Sequence, residues 1–345
     1  MLEMQSRGYS VVAIAPEDIY SCQFIKHKID FIPITLNRKG YNPIRDLSLG
    51  VQLYKIYKRL RPTFIHHFTI KPVIFGSIAA RMANSSNIIN SITGLGYTFL
   101  QGWIVRRVAV WVYKISLNSK YVKNIFQNPD DLEVFTSNGI GQKDNSFLIL
   151  SSGVDLFKFA NCKIEPNKIV HFLFLSRMLF DKGLEELKQA KELLKSEDLS
   201  FKLILAGSID NGNPRSVSEE WLKVSFNDEW STWIGYRENV EILLGEIDVV
   251  ILPSFYREGL PHCLTEALAA HKPIITTDVA GCREVYHNNG VLIPPRNAIA
   301  LYRAMKKVIE SKSLSFWGEN SRKLATKFDV KIVNKKTISV YNLEP

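Results

Sequence analysis

The sequence predicts an α/β protein built from two Rossmann-like domains that face each other across a cleft. Apolar runs typical of buried parallel strands alternate with amphipathic stretches of helical period along the whole chain. The 345 residues are 46% hydrophobic, which is enough apolar material for two cores. A stretch of weak periodicity at 155–168 divides the pattern into two halves, so two similar modules are expected.

In the first half, strands are predicted from short β-branched and apolar runs, and helices from apolar residues three or four positions apart. Leu49, Leu53 and Ile56, for example, share one helical face. In chain order the pattern predicts a strand at 9–15, a helix at 46–59, strands at 63–67 and 88–92 with a helix at 74–82 between them, and a long helix at 97–117.

The second half repeats the alternation. The pattern predicts strands at 169–175, 201–206, 247–252 and 273–277, and helices at 184–195 and 261–270. The domains are therefore expected to span 1–160 and 161–324, with a last helix at about 325–345 that packs back on the first domain.

The start of the chain departs from the pattern. An open doubly wound sheet begins with its central strand, a Gly-rich turn and a helix. Residues 1–8 have the character of the end of that helix, so the first domain is predicted to lack its first strand and to leave a gap in its sheet. The hypothesis that follows is a truncated chain, or a start codon placed roughly 20–30 residues late, the length of one strand–turn–helix unit.

Composition excludes several classes of protein. The apolar content excludes a disordered chain, and four widely spaced cysteines exclude a disulfide scaffold and favour a reducing cytoplasm. The most membrane-like stretch, 99–118, has Arg106 and Arg107 at its middle and is not predicted to span a bilayer. Residues 1–10 contain no apolar segment of the kind a signal peptide needs.

The net charge of +10 is concentrated in the first half. Residues 1–160 contain 19 basic and 10 acidic side chains, and 47–129 contain 11 basic side chains and no acidic one. This segment is expected to bind anions such as nucleic acid, anionic lipid head groups or a phosphorylated substrate. Nucleic acid is not expected as a partner, because the sequence has no helix-turn-helix, Cys/His finger or RNP-like motif.

Aromatic and basic residues alternate in 97–123, as they do in helices that lie at a membrane interface. These residues are Trp103, Arg106, Arg107, Trp111, Tyr113, Lys114, Lys120 and Lys123. The segment 47–129 is therefore predicted to contact an anionic membrane surface. A core helix with a solvated basic edge has the same periodicity and stays open as an alternative.

Two carboxylates, Glu258 and Glu266, stand eight positions apart, the first after a predicted strand and the second within the next helix. Both are expected to face one cleft. The Gly259-Leu260-Pro261 turn leaves backbone N–H groups at the helix start, which suits a phosphate. The alternative is that both glutamates are solvated surface residues.

A second pair of charges, Arg177 and Lys182, flanks the turn between another predicted strand and its helix. Two cations beside a helix N-terminus can hold a diphosphate and stabilise the charge on a nucleoside diphosphate as it leaves. Two solvated surface cations are the alternative.

These segments together resemble the donor half of the GT-B-fold glycosyltransferases of family 4, which transfer sugars from nucleotide diphosphate sugars with retention of configuration. The donor-half likeness rests on Arg177 with Lys182, on EGLPHCLTEA at 258–267 and on TTDVAGCRE at 276–284. In the first half, HHFTIKPVIFGSIAAR and NSITGLGYTF are similar to bacterial members that extend polyprenyl-diphosphate-linked glycans for O-antigen, capsule or glycoprotein synthesis. SSGVDLFKF at 151–159 resembles the family's hinge.

The resemblance implies roles for individual residues. Arg177 and Lys182 would bind the donor diphosphate and Glu258 the hydroxyls of the transferred sugar, these three being the catalytic candidates. Glu266 would bind the ribose diol, and the amides near Gly259 and Leu260 would help to hold phosphate. No metal or other cofactor is expected, because family members of this type generally work without one and the chain has no D-x-D triplet.

On the acceptor side the resemblance is weaker. His66 and His67 would face the cleft, although a histidine there is more often structural. Lys71 would meet an acceptor phosphate or remain a surface lysine. Thr93 occupies a place where many relatives carry a histidine, and the family's Gly-rich loop after the first strand is absent.

The function expected is transfer of a hexose or N-acetylhexosamine, from a UDP-sugar in preference to others, to a lipid-linked surface-glycan acceptor. The enzyme would work at the inner face of the bacterial cell membrane, peripherally bound. A nucleotide-sugar epimerase or glycan phosphorylase on the same fold remains open. A non-catalytic nucleotide-sugar-binding subunit is the third possibility.

Overall fold

A computed structural model describes residues 1–36, 43–95, 103–162, 166–311 and 313–341. It confirms the predicted α/β class: parallel sheets flanked by helices form two Rossmann-like domains. Each domain has its own buried apolar cluster, and a third, smaller cluster joins the first domain to the last helix.

The first domain alternates short strands with helices, as the periodicity predicts. Its elements are α1 Leu2–Ser6, β1 Val12–Ala15, α2 Cys22–Lys26, β2 Asp30–Pro33, α3 Pro43–Leu60, β3 Ile65–Phe68, a π-helix Pro72–Gly76, α4 Ser77–Met82, β4 Ile88–Ile92, α5 Trp103–Leu117, β5 Val122–Phe126, α6 Pro129–Ser137, a 3₁₀ turn Lys143–Asn145 and β6 Ser146–Leu148.

The second domain follows the same alternation. Its elements are β7 Val170–Leu175, a 3₁₀ turn Phe180–Lys182, α7 Leu184–Ser196, β8 Phe201–Ala206, α8 Glu219–Phe226, β9 Ser231–Trp233, α9 Val240–Glu246, β10 Val249–Leu252, α10 His262–Ala269, β11 Ile274–Thr277, a 3₁₀ turn Arg283–Val285, β12 Gly290–Ile293 and α11 Ala298–Ile309. The chain then continues as α12 Leu314–Ala325, a 3₁₀ turn Thr326–Phe328 and α13 Val330–Val340.

The strands of the first domain form two parallel sheets in the described part of the chain. One pairs β1 with β2, and the other has the order β3-β4-β5-β6. The break lies between the β1–β2 pair and the four-stranded sheet, whereas the sequence predicts a gap in this domain without giving its position. Side chains hold the two pieces together: the ring of Tyr9 packs edge-on against Phe64 with centroids 6.3 Å apart, and Ile14 packs on the core of the larger piece.

The second domain has one six-stranded parallel sheet in the order β12-β11-β10-β7-β8-β9. Every residue of β10 and β11 is buried, as expected for central strands covered by helices on both faces. All ladders are parallel, so the carboxyl ends of β7, β8 and β10 lie along one edge of the sheet. Ligands of open α/β sheets bind at that edge.

Some predicted boundaries differ from the structure. The first strand begins at Val12 rather than at residue 9, and the helix predicted at 74–82 begins at Pro72 as a π-helix before becoming α-helical. Pro72 fits the first turn because its missing N–H would have no intrahelical partner there. Periodicity does not distinguish a π-turn from an α-turn. Residues 97–102 of the predicted long helix lie outside the described part of the chain.

The chain crosses between the domains twice, and the two crossings lie side by side. Val154 donates its N–H to the carbonyl of Phe328 at 2.8 Å and accepts from Val330 N at 2.9 Å. Beyond the second crossing, α13 returns to the first sheet, where Val333 and Val340 pack against residues of β4 and β5. The last helix thus belongs to the first domain in space.

Val333 is buried between α13 and the first sheet. We expect Val333→Ala to lower the free energy of unfolding by about 1–3 kcal/mol, because it removes buried methyl groups and leaves a cavity. Thermal and urea denaturation measure the change. Lys335→Ala, on the exposed face of the same helix, is the control and should leave stability unchanged. Equal stability of the Val333 variant would show that α13 contributes little to the first domain.

Candidate functional site

The centre of the candidate site is an ion pair between Lys182 and Glu258. Lys182 ends the 3₁₀ turn after β7, and Glu258 lies in the loop between β10 and α10, so neighbouring strands bring them together. Both side chains are mostly buried, and Ser254 Oγ donates to the same carboxylate oxygen at 3.2 Å. Two residues that lie 76 positions apart in the sequence thus form one ion pair.

Arg177 lies at the same edge but is held differently. Its Nη1 donates to Asp210 Oδ2 at 2.7 Å, and its side chain is 59% exposed. Asp210 follows β8, the strand beside β7. An exposed ion pair of this kind is weak, so the guanidinium can exchange the carboxylate for another anion at little cost.

The turn that carries Lys182 packs closely against the loop that carries Glu258. Gly183 has φ +82°, and a Cβ there would lie 2.2 Å from the carbonyl oxygen of Pro253. The carbonyl of Asp181 accepts from Phe255 N at 3.1 Å. Any other residue at Gly183 would push this turn away from the Glu258 loop, so the close approach fixes the distance between the two charges.

Gly259 and Leu260 connect the Glu258 loop to α10. Leu260 is anchored in the core of the second domain, whereas Gly259 faces the first domain. A Cβ at Gly259 would lie 2.4 Å from Gln127 Oε1 and 2.7 Å from the carbonyl oxygen of Thr93. The absence of a side chain therefore lets the two domains touch at this loop.

Glu266 lies one turn into α10, half-buried. Burial raises the pKa of its carboxyl to about 7, with Lys158 lowering the pKa and Glu241 raising it. Lys158 and Glu241 are themselves paired, with Nζ 2.9 Å from Oε2. A carboxyl with this pKa changes charge near neutrality, and the hydroxyl hydrogen bonds of a ribose favour its ionised form.

Sequence reasoning missed several residues that the structure brings to this site. Asn128 and Asp131, from the first turn of α6, contact the Glu258 loop, and Arg257 pairs with Asp131 at 3.1 Å. The pKa of Tyr256 is raised by burial and by the negative charges of Glu258 and Asp181. The only sequence signal for α6 was an Asn-Pro start typical of a helix N-terminus, which points to a cap rather than to a contact between domains.

The histidines predicted on the acceptor side have separate environments. His67 is buried in the first core, bonded to Tyr57 and to Asn90 at 2.9 Å each, so its expected place facing the cleft is wrong. His66 is half-buried, with Nε2 2.8 Å from Ser91 Oγ and Nδ1 2.6 Å from the hydroxyl of Tyr341 in the last helix. Burial lowers the pKa of His66 to about 3, which makes it a weak base at neutral pH.

Lys71 and Thr93 also have different environments in the structure. Lys71 Nζ lies 2.7 Å from Asp46 Oδ1 in a mostly buried ion pair. Asp46 immediately precedes the acid-free stretch that the sequence singled out, so part of that positive charge is neutralised within the fold. Thr93 is exposed, and its carbonyl borders Gly259. Of the three acceptor-side candidates, Thr93 is the one placed against the Glu258 loop.

Among the residues that the structure describes, no group of three or more His, Cys, Asp or Glu side chains is arranged to hold a metal ion. The charged groups at the sheet edge include Lys182 and Arg177 with their carboxylate partners, and Asp181, which pairs with Arg215 at 2.8 Å. In the same part of the chain, no helix combines the length and apolar content needed to cross a bilayer.

Comparison with known proteins decides the family. The family model for glycosyl transferases group 1 matches 159–324, and the model for glycosyl transferase 4-like proteins matches 1–128. A putative teichuronic acid biosynthesis glycosyltransferase of Bacillus subtilis, TuaC, is 30% identical over 88% of this chain and 82% of its own length. The chain belongs to the family 4 glycosyltransferases.

Two further likenesses concern this glycosyltransferase. The N,N'-diacetylbacillosaminyl-diphospho-undecaprenol alpha-1,3-N-acetylgalactosaminyltransferase of Campylobacter jejuni is 28% identical over 98% of this chain and 92% of the relative. The structure of Anabaena Alr3699/HepE in complex with UDP and glucose superposes with a TM-score of 0.79 at 18% identity, covering 98% of this chain and 94% of that one. The second likeness confirms the GT-B fold that the sequence predicts.

The pKa of Glu266 gives a pH-dependent prediction for the glycosyltransferase. If the ionised carboxyl accepts ribose hydroxyls, protonation below about pH 7 weakens nucleotide binding. We expect the wild type to bind UDP more tightly than Glu266→Gln at about pH 8, and this ratio to fall towards one as the pH drops below 6 or so. Calorimetric titration of both proteins at several pH values measures the ratio.

UDP itself gains a proton in the same pH range. This effect is the same for both proteins, so it cancels in the ratio of their affinities. Glu310→Gln, an exposed glutamate at the end of α11, is the control and should bind UDP as the wild type does at every pH. A ratio that does not change with pH would contradict a role for the Glu266 carboxylate in nucleotide binding.

Proposed function

We propose that this glycosyltransferase transfers a hexose or N-acetylhexosamine from a UDP-sugar to a polyprenyl-diphosphate-linked acceptor, with retention of configuration. The observation that carries the proposal is the Lys182–Glu258 ion pair beside Arg177 at the carboxyl edge of the second sheet. A binding edge of this kind with two cations suits a diphosphate, and a carboxylate next to them suits sugar hydroxyls.

In the proposed reaction, the bond from the anomeric carbon to the diphosphate oxygen breaks and a bond to an acceptor hydroxyl oxygen forms. The proton of that hydroxyl passes to an oxygen of the departing diphosphate, which leaves with the bonding electron pair. Negative charge grows on the leaving UDP, so Arg177 and Lys182 stabilise the transition state more than the ground state. Glu258 accepts from hydroxyls of the transferred sugar, and Glu266 from the ribose. These cations supply the charge needed on the diphosphate, and the proposal requires no metal ion.

Support for the acceptor comes from the relatives. The Campylobacter jejuni relative is named for a lipid-diphosphate-linked acceptor, and the Anabaena structure holds UDP. Both match almost the whole chain. The sugar, the linkage and the exact lipid-linked glycan are to be found by screening.

The direct test incubates the protein with UDP-sugars and an undecaprenyl-diphosphate-linked sugar, and detects the elongated product by mass spectrometry. The anomeric proton coupling of the product reports retention or inversion. Conversion of the UDP-sugar without acceptor indicates an epimerase, and a requirement for inorganic phosphate indicates a phosphorylase. UDP binding without any turnover indicates a non-catalytic subunit. Turnover that EDTA abolishes contradicts the metal-independent form of the proposal.

The cation Arg177 gives a prediction for this assay. We expect Arg177→Ala to reduce kcat on the order of 100-fold, because one charge that stabilises the leaving diphosphate is lost. Its stability should be unchanged, since the guanidinium is exposed. Arg303→Ala, an exposed arginine on α11, is the matched control and should keep wild-type activity. Equal loss in both variants, or loss in neither, would remove Arg177 from the donor site.

We also propose that α5 rests on an anionic membrane surface, at the inner face of the cell membrane where a lipid-linked acceptor lies. The outward face of this helix is apolar: Trp103 is 68% exposed, Trp111 63% and Ile104 60%. Residues 104, 108, 111 and 115 repeat at helical spacing on that face, while Ala109 and Tyr113 are buried on the other. Such an exposed apolar stripe is unusual for a solvated helix.

Basic residues border the stripe. Arg106 and Arg107 are exposed in the same two turns, and the Arg107 guanidinium lies 5.9 Å from the centre of the Trp103 ring. Aromatic and aliphatic side chains flanked by cations match the boundary between acyl chains and anionic head groups. The alternative of a core helix with a solvated basic edge fits less well, because the exposed face of α5 is apolar.

This surface gives a second prediction. We expect the protein to sediment with phosphatidylglycerol vesicles, less with phosphatidylcholine vesicles, and less at high salt. Trp103→Gln combined with Trp111→Gln should reduce binding at least about tenfold, because two interfacial anchors are lost. Val224→Gln, an equally exposed apolar residue on α8, is the control and should bind as the wild type. Equal binding by all three proteins would contradict a membrane role for α5.

A further inference from the structure

The first turn of α6, in the first domain, touches the loop that carries Glu258 in the second. Asn128 caps this helix, and Asp131 is its third residue. Both side chains are completely buried although they lie at the boundary between the domains. Arg257, one position before Glu258, reaches across to Asp131. The two domains therefore share a buried polar cluster next to the proposed donor site.

The amide of Asn128 has one possible orientation. Its Oδ1 accepts from Asp131 N at 2.7 Å as the cap of α6, so its Nδ2 is directed away from the helix. That nitrogen donates to the carbonyl oxygens of Glu258 at 2.9 Å and Gly259 at 3.2 Å, and it lies 3.1 Å from Asp131 Oδ2. The cap that begins α6 thus fixes the group that crosses to the other domain.

Asp131 completes the cluster. One carboxylate oxygen faces the Asn128 amide, and the other accepts from Arg257 Nη2 at 3.1 Å. A buried carboxylate without its cation is costly, so Arg257 has a strong preference for the position it occupies when the domains are together. The neighbouring pair of Arg283 with Asp130 is more exposed and longer, at 3.3 Å, and contributes less.

The cross-domain hydrogen bonds determine how two peptide groups are turned. In a trans peptide the carbonyl and the following N–H point in opposite directions. With the carbonyls of Glu258 and Gly259 held by Asn128, the N–H groups of Gly259 and Leu260 point away from Asn128, and Gly259 N lies beside Gly94 of the first domain. These are the amides that the donor phosphate is expected to meet, so their orientation depends on a residue of the other domain.

We propose that Asn128, Asp131 and Arg257 form a latch that holds the Glu258 loop in its donor-binding shape when the domains close, with Asn128 as the positioning residue. The latch rests on the proposed transferase function but adds to it. Residues of the first domain would complete the donor site through the backbone of the second, and turnover would require the closed arrangement.

Asn128→Asp tests the latch. Aspartate is an equally good helix cap, so α6 keeps its start. Its second oxygen, however, would face two carbonyls and the Asp131 carboxylate and would repel them instead of donating. We expect kcat to fall on the order of 10- to 100-fold through misplacement of the donor. UDP affinity should fall by a smaller factor than kcat on calorimetric titration, and by less than in Lys182→Ala, since the side chains proposed to hold the nucleotide are untouched.

Two variants serve as controls. Asn297 caps α11 with the same geometry, accepting from Ala300 N at 2.9 Å, and its side chain is exposed. Asn297→Asp should leave kcat, UDP affinity and melting temperature unchanged. Asn128→Ser keeps a cap and removes the amide without adding charge, so its kcat should lie between those of the wild type and Asn128→Asp.

Solution scattering gives a readout that does not need turnover. In the presence of UDP, the radius of gyration of Asn128→Asp and of Arg257→Gln should exceed that of the wild type, because the latched form is less populated. If Asn128→Asp does not fold, Arg257→Gln, whose side chain is partly solvated, carries the same comparison of kcat, UDP affinity and scattering.

Wild-type kcat in Asn128→Asp, or a loss of UDP affinity as large as that of Lys182→Ala, overturns the proposal. If the wild type itself shows no transfer with any donor, the proposed function fails, and the scattering comparison still decides the latch: equal radii in the three proteins overturn it.

Discussion

The Lys182–Glu258 ion pair is the interaction on which the arrangement of the cleft depends. It joins the turn after β7 to the loop after β10, and both charges are mostly withdrawn from water. Breaking a buried pair by removing one partner costs about 3–5 kcal/mol, so each loop keeps the other in place. In the proposed function, an incoming diphosphate would meet a cation that is already positioned beside a carboxylate. The site is thereby prepared before any ligand arrives.

The two domains contribute different groups around this ion pair. The second domain supplies cations and carboxylates from the ends of neighbouring strands, where parallel pairing keeps their spacing fixed. The first domain supplies the start of α6, which touches the same loop, and the outward face of α5, which carries apolar and basic side chains. The proposed donor chemistry and the proposed lipid contact therefore lie on different elements, whereas the domain contact involves the Glu258 loop itself.

Much of this architecture follows from local sequence. The strands at 88–92 and 201–206 agree with the structure to the residue, since a short, mostly apolar run between turns favours a strand. The partners of individual polar and charged residues were harder to predict from the sequence. Asp46 lies one position outside the acid-free stretch yet pairs with Lys71, and Asn128 contacts residues 130 positions away. Periodicity reports which face of an element is apolar. It does not report which distant side chain will meet that face.

The paired crossings at Val154 and Val330 have a mechanical consequence. A single flexible connection lets one body move in any direction relative to another. Two connections bound to each other by backbone hydrogen bonds define a line, and motion is restricted largely to a swing about it. The rim of the cleft farthest from that line travels most, while residues beside it hardly move. Large displacement at the mouth of the cleft is thus compatible with a nearly stationary region near residue 154.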